Sequence, residues 1–243
     1  TPHYLRGLFQ AMRSLAVQNL RLLRKQLKAL PHYLVPLAQR AIEMESVILQ
    51  QYRRLIIERF EAARIRIHGD FHLRQILWTG RDIVFLDLEG DATASISERR
   101  IKRSPLHDVA FMLRSLHHAA YGGFHKQVEL GVVSWDNLPK FEPWVRHWNR
   151  AISRAYLAAY CEKIRPSGLL PAEDEKLRMM LTAYLLNQVM EELGCGLQAP
   201  SDNLLVTLRA ILILTEEEPA AVAVPAATPD QTTNDPPTPP PQK

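Results

Sequence analysis

His68-Gly69-Asp70-Phe71-His72-Leu73-Arg74-Gln75, followed beyond one short hairpin by Asp87-Leu88-Glu89-Gly90, is the stretch that decides how this chain is read. The hydrophobic period around it is not helical. Arg64-Ile65-Arg66-Ile67 alternates, Ile76-Leu77-Trp78 is a short apolar run, Thr79-Gly80-Arg81-Asp82 is turn-like, and Ile83 to Leu88 is β-branched and aromatic. The two longer runs predict a β-hairpin about Gly80. The polar motifs then fall on loops beside short strands, where two acids and an amide can converge on one point.

Outside this insert the period is helical almost throughout. Leu8, Met12, Leu15 and Leu22 recur at helical spacing between Leu5 and Leu30, and a second such stretch runs from Leu34 to Ala63. Pro31 separates the two, which predicts a pair of antiparallel helices joined by a short turn. Ser104-Pro105 opens a further helix, predicted to reach Ala120 and to stop at Gly122-Gly123. Helical patterns follow from Glu142 to Ile164, Ala172 to Leu193 and Asn203 to Thr215. The fold class expected is mainly α with a small β-insert. Residues 1–218 read as one lobe, and 219–243, rich in Pro, Ala and Thr, as a disordered tail or linker that cannot bury enough apolar surface to offset its ordering entropy. The start at Thr1, entering a helical pattern at once, suggests a chain that begins inside a longer polypeptide.

Composition narrows the function classes. A hydrophobic content of 47% over 243 residues supports a sizeable core. No apolar run is long enough for a transmembrane helix, and the first residues lack the order of a secretory signal. Cys161 and Cys195 form no CxxC, which argues for a reducing, cytoplasmic setting, against a structural metal, and for two buried structural thiols. The net charge of +4 is spread along amphipathic stretches, so nucleic-acid binding is a weak reading.

The insert carries the chemistry. Phosphoryl transfer needs a positioned nucleophile, a metal-neutralised triphosphate and donors to its oxygens, and little covalent help. Asp70 is the candidate base for an attacking hydroxyl, and His72 a candidate donor near the transferred group. The side-chain carbonyl of Gln75 and the carboxylate of Asp87 are the hard oxygen ligands that Mg²⁺ prefers, with Glu89 available for a second metal or a substrate hydroxyl. The spacing is specific. A kinase catalytic loop places its metal-binding amide five residues after the base, with a second metal-binding acid beyond a hairpin, and Gln75 and Asp87 stand in those places.

On these residues the chain resembles the aminoglycoside-phosphotransferase-like kinases and, within them, the maltokinases, including those fused behind trehalose synthase. The form HGD-x-H-L-x-Q and the run Glu98-Arg99-Arg100-Ile101-Lys102-Arg103-Ser104-Pro105-Leu106-His107-Asp108-Val109-Ala110 carry the likeness, which spans about residues 1–215. It implies a protein-kinase-like C-terminal lobe, α+β once an N-terminal lobe is present, and ATP-dependent phosphorylation of maltose to maltose 1-phosphate. ATP, Mg²⁺ and maltose are the ligands so implied, and a trehalose synthase domain the implied partner. Another small alcohol or aminosugar as substrate, or a degenerate lobe used for docking, are the alternatives. The resemblance makes Asp70 the base and Gln75 and Asp87 the metal ligands. It leaves Asp108 either bracing the catalytic loop or stabilising a helix N-terminus. Arg99, Lys102, Gln188 and Glu192 are placed on the sugar side, although Arg99, Arg100 and Lys102 also read as a solvated basic loop.

The chain departs from the family pattern in several places. Arg74 replaces a usual Gly, Gln188 a usual Lys, and Gly196 a usual acid. No Gly-rich phosphate loop or strand-borne Lys precedes Leu5, so this lobe alone is expected to turn over little. Trp135, Trp144 and Trp148 read either as core or as a sugar-facing platform, and His107, His117, His118 and His125 as ordinary helix and loop residues.

Overall fold

The computed structural model describes residues 2–90, 94–134, 137–198 and 203–216, so the tail expected over 219–243 and Trp135 lie outside the described residues. Eight helices and a two-stranded antiparallel sheet make up the described part. Helix α1 (Pro2–Gln26) buries Met12, Ala16, Leu20 and Leu23, one stripe at helical spacing. The second apolar stretch is two helices and not one. A bend at Met44 separates α2 (Val35–Glu43) from α3 (Glu45–Ile57). The break lets α2 pack on α8 while α3, through Ile48, Tyr52 and Leu55, lies along α1. Helix α3 also stops short of Ala63, because Glu58 turns extended and the chain heads for Leu169, whose carbonyl takes the Ala63 N–H at 3.1 Å.

After the hairpin and a single helical turn, α4 (Ile96–Arg99), helix α5 runs from Leu106 to Glu129. It does not stop at Gly122-Gly123. Each Gly costs a helix about 1 kcal/mol relative to Ala, and burial of Tyr121, His125 and Val128 on the same turns outweighs that. Helix α6 (Leu138–Ile164), α7 (Asp174–Gln198) and α8 (Asn203–Glu216) complete the bundle. Helix α7 is the central rod. It contacts α1, α3, α5 and α8, and Leu177, Leu181, Leu186, Val189 and Leu193 on it are essentially inaccessible. One polar contact sets its distance from α1: the Asn19 amide donates to the Met190 carbonyl at 2.7 Å. Gly194 leaves room for that side chain, since a Cβ there would lie 2.6 Å from Asn19 Nδ2.

Strands β1 (Ile76–Trp78) and β2 (Ile83–Phe85) pair with Ile76 opposite Phe85 and Trp78 opposite Ile83. The turn closes through Thr79, whose N–H and hydroxyl both reach the Asp82 carbonyl, with Gly80 at φ +91°. The Arg64–Ile67 alternation forms no strand; Ile65 makes a single bridge to Arg103. The hairpin leaves Leu77, Trp78, Ile83, Val84 and Phe85 exposed on both faces. Trp144 and Trp148 are not core either, at 72% and 50% exposure. Cys161 is a buried thiol as expected, whereas Cys195 is exposed.

Candidate active site

The His68-Gly69-Asp70 loop hangs from helix α5. Asp108, in the first turn of that helix, accepts the His68 N–H at 2.7 Å with one carboxylate oxygen and the Gly69 N–H at 2.9 Å with the other. Two backbone donors in a tight loop, with Gly69 at φ +85°, would otherwise lack partners. The His68 side chain ties the same loop to the hairpin: its Nε2 lies 2.8 Å from the Leu86 carbonyl, and its Nδ1 lies 3.4 Å from the Asp70 N–H. A carbonyl only accepts, so these contacts together require the Nε2–H tautomer.

Sheet register brings the second motif to the first. The Leu86 N–H donates to the Gln75 carbonyl at 2.9 Å, which continues the β1–β2 ladder by one residue and sets Asp87 next beyond it. Buried Gln75 points its amide at Asp70 Oδ2, 3.4 Å away, while His72 Nε2 sits 3.5 Å from Asp70 Oδ1. The Gln75 side-chain oxygen accepts no hydrogen bond among the described residues. Asp87 holds φ +53°, the one non-Gly positive φ among them, and its exposed carboxylate has no partner there. Strain of this kind persists where the surroundings over-determine it. Glu89 follows in an exposed turn closed by Gly90 N–H on the Asp87 carbonyl, 3.0 Å. The described residues contain no group of three His, Cys, Asp or Glu able to hold a metal alone. The side-chain oxygens of Gln75, Asp87 and Glu89 are hard donors of the kind magnesium prefers, and are the residues that could hold such an ion here.

Gly90 is required on two counts. Its φ is +82°, and a Cβ would stand 2.8 Å from the His68 carbonyl oxygen. Gly90→Ala is expected to lower stability by about 1–3 kcal/mol and to displace the His68 loop. Urea unfolding, together with a changed His68 imidazole shift in NMR, checks it.

The other predicted residues scatter. Arg99 lines a pocket behind the loop, Lys102 is exposed, and Gln188 is half-buried on α7. Arg74 is exposed. Glu192 is engaged within the protein: Arg114 grips both its oxygens at 3.0 and 2.6 Å, and His118 Nε2 lies 3.0 Å away. Burial alone would raise its pKa, but Arg114 and His118 outweigh that and hold it down at about 2. Beside it, burial lowers the pKa of His117 well below the usual range and keeps the ring neutral. Ser115 had no sequence signal: its Oγ accepts the Leu73 N–H at 3.0 Å. Glu191, which the family resemblance aligns beside Glu192 on the altered sugar-side helix, closes the pocket behind the loop together with His107. Both arise from helices that meet the loop only in three dimensions.

No family model matches the sequence. Solved structures do match. A glucosamine kinase superposes with a TM-score of 0.68 at 20% identity, covering 89% of this chain and 46% of that one. The fold is similar to that of about half of that solved chain. A glucosamine kinase solved with glucosamine, ADP and inorganic phosphate gives 0.65 at 22% identity over 89% and 45% of the two chains. A further crystal form of glucosamine kinase gives 0.63 at 20%. The chain thus spans under half the length of the solved kinases it matches. No described helix is long and apolar enough to cross a membrane.

Proposed function

We propose that this chain is the acceptor-binding lobe of an ATP- and Mg²⁺-dependent sugar kinase, with an amino sugar ahead of maltose as substrate. The observation that carries the reading is the contact of Gln75 with Asp70 on a loop suspended from Asp108, with Asp87 one residue beyond the backbone pairing of Leu86 with Gln75. Asp70 accepts the proton of the acceptor hydroxyl as its oxygen bonds to the γ-phosphorus, and the bond from that phosphorus to the β-bridging oxygen breaks to release ADP. His72, beside Asp70, donates to the transferred group, and Asp108 acts through the loop it braces. Gln75, Asp87 and Glu89 would hold Mg²⁺, which would supply charge neutralisation on the phosphates.

The amino-sugar preference follows the neighbours, one of them solved with glucosamine and ADP. Maltose, with a trehalose synthase domain joined to the enzyme, is the second reading, favoured by the HGD-x-H-L-x-Q and Glu98–Ala110 motifs. The bare apolar hairpin favours a nucleotide-binding half lying against Leu77, Trp78 and Phe85. Phosphorus NMR on the chain joined to such a half, with ATP, Mg²⁺ and either glucosamine or maltose, is the test. A sugar-phosphate signal from glucosamine supports the main reading and one from maltose alone the second. No product from either sugar, by a folded protein, overturns both.

A further inference from the structure

A pocket of about 180 Å³ opens behind the catalytic loop. Its lining joins His68 and Gly69, the residues just before Asp70, to Arg99, Arg103, His107 and, from α7, Glu191. Two acids face this space, and they differ in how they are used. Glu98 is consumed by the capping box of α4, where its carboxylate accepts from Ser95 N–H at 2.9 Å and the Ser95 hydroxyl at 2.7 Å. Glu191 accepts one bond, from the Asn187 amide at 2.8 Å, and its second oxygen accepts none among the described residues.

The surroundings of Glu191 leave its negative charge under-served. Burial pushes its pKa up, and His107, the Asn187 bond and Arg103 offset that only in part, with neighbouring Glu192 opposing them. A desolvated carboxylate with an open oxygen gains most from a donor that brings charge. A hydrogen bond from an ammonium group is roughly twice as strong as one from a neutral hydroxyl. Of the cations that line the pocket, Arg103 acts on Glu191 and lowers its pKa without overcoming the effect of burial, and Arg99 lies on α4. Arg103 is anchored by its backbone pairing with Ile65, and the Arg99 Nε donates to the Ala94 carbonyl at 2.9 Å.

We propose that Glu191 is a specificity-determining residue, and that its open carboxylate oxygen takes the ammonium group of an amino sugar whose ring lies in the pocket between α7 and the His68-Gly69 loop. This rests on the sugar-kinase reading and names the group that selects among sugars. It also accounts for an acid at a helix position where nothing among the described residues completes its hydrogen bonding.

The test is calorimetric titration of glucosamine and of glucose into the full chain and into Glu191→Gln, each first shown to be folded by circular dichroism. Glucosamine is expected to bind more tightly than glucose, and Glu191→Gln to weaken glucosamine by about tenfold or more while glucose changes less than about twofold. Equal binding of the two sugars by the unaltered chain, absence of binding by both, or an equal loss for both in the variant overturns the proposal. Glu191→Asp, which keeps the charge, is expected to retain part of the preference; a variant as indiscriminate as Gln also counts against it. The kinase reading fails on a different readout, the absence of a sugar-phosphate signal, whichever way the titration falls.

Discussion

Asp70→Asn is expected to lower phosphoryl transfer by about 100- to 10,000-fold while leaving the thermal midpoint of the chain within a degree or two. The two halves of that expectation come from the same geometry. Asn keeps the size of the side chain and one acceptor oxygen but cannot take a proton from the acceptor hydroxyl. The fold loses little, because Asp70 contributes only long contacts to it: 3.4 Å to the Gln75 amide and 3.5 Å to His72. Its side chain is about one-third exposed, at 32%. The loop is held by Asp108 and by His68 on Leu86, neither of which involves the Asp70 carboxylate. Phosphorus NMR of product formation by the chain joined to a nucleotide-binding half, and a melting curve of the chain, check both parts of the expectation. Undiminished transfer by a folded variant removes Asp70 from the role of base.

The largest stability effect is expected at Glu192. Arg114 is 5% exposed at its side chain and is held by Glu192 through two short bonds. Glu192→Gln leaves that guanidinium buried without its counter-charge, and breaking a buried pair from one side costs about 3–5 kcal/mol. The variant is expected to unfold at markedly lower urea concentration, with Arg114→Met in the same background recovering part of the loss. The pH dependence has a definite sign. Glu192 titrates near 4.5 when unfolded and about 2 when folded, so the folded state binds its proton less readily. Its contribution is fully present above about pH 4.5 and is lost as pH falls from there towards 2, an effect on the order of 3 kcal/mol. Urea midpoints measured from pH 6 down to pH 2.5 should show this slope in the unaltered chain and a shallower one in Glu192→Gln. Equal slopes in the two would show that the pair does not govern acid stability.

The two adjacent acids on α7 look alike in sequence, yet Glu192 turns to Arg114 and His118 while Glu191 turns to the pocket behind the loop. Adjacent positions on a helix point about 100° apart, so which acid meets the loop depends on how α7 is rotated against α5. That rotation is set by packing, through such contacts as Asn19 on the Met190 carbonyl and the space left by Gly194. Helix ends likewise depart from the local signals where these compete with burial. Gly122-Gly123 reads as a stop, but buried residues on both sides carry α5 through it to Glu129. Nothing local marks Met44 as the bend where the second helical stretch divides.

What the sequence determined by itself was short-range. Apolar residues at helical spacing specify the helices, a β-branched run about Gly80 specifies the hairpin, and the hairpin's register places Asp87 beside Gln75 and therefore near Asp70. Those relations act over a few residues of backbone geometry, where periodicity and turn chemistry suffice. Only the tertiary structure decided that Asp108 carries the loop, that Glu192 belongs to Arg114, and that Glu191 and His107 face the pocket. Each of these joins residues about 40 to 120 positions apart, and the pairing is chosen by how whole helices bury their apolar faces, a sum over many weak contacts that no single motif encodes.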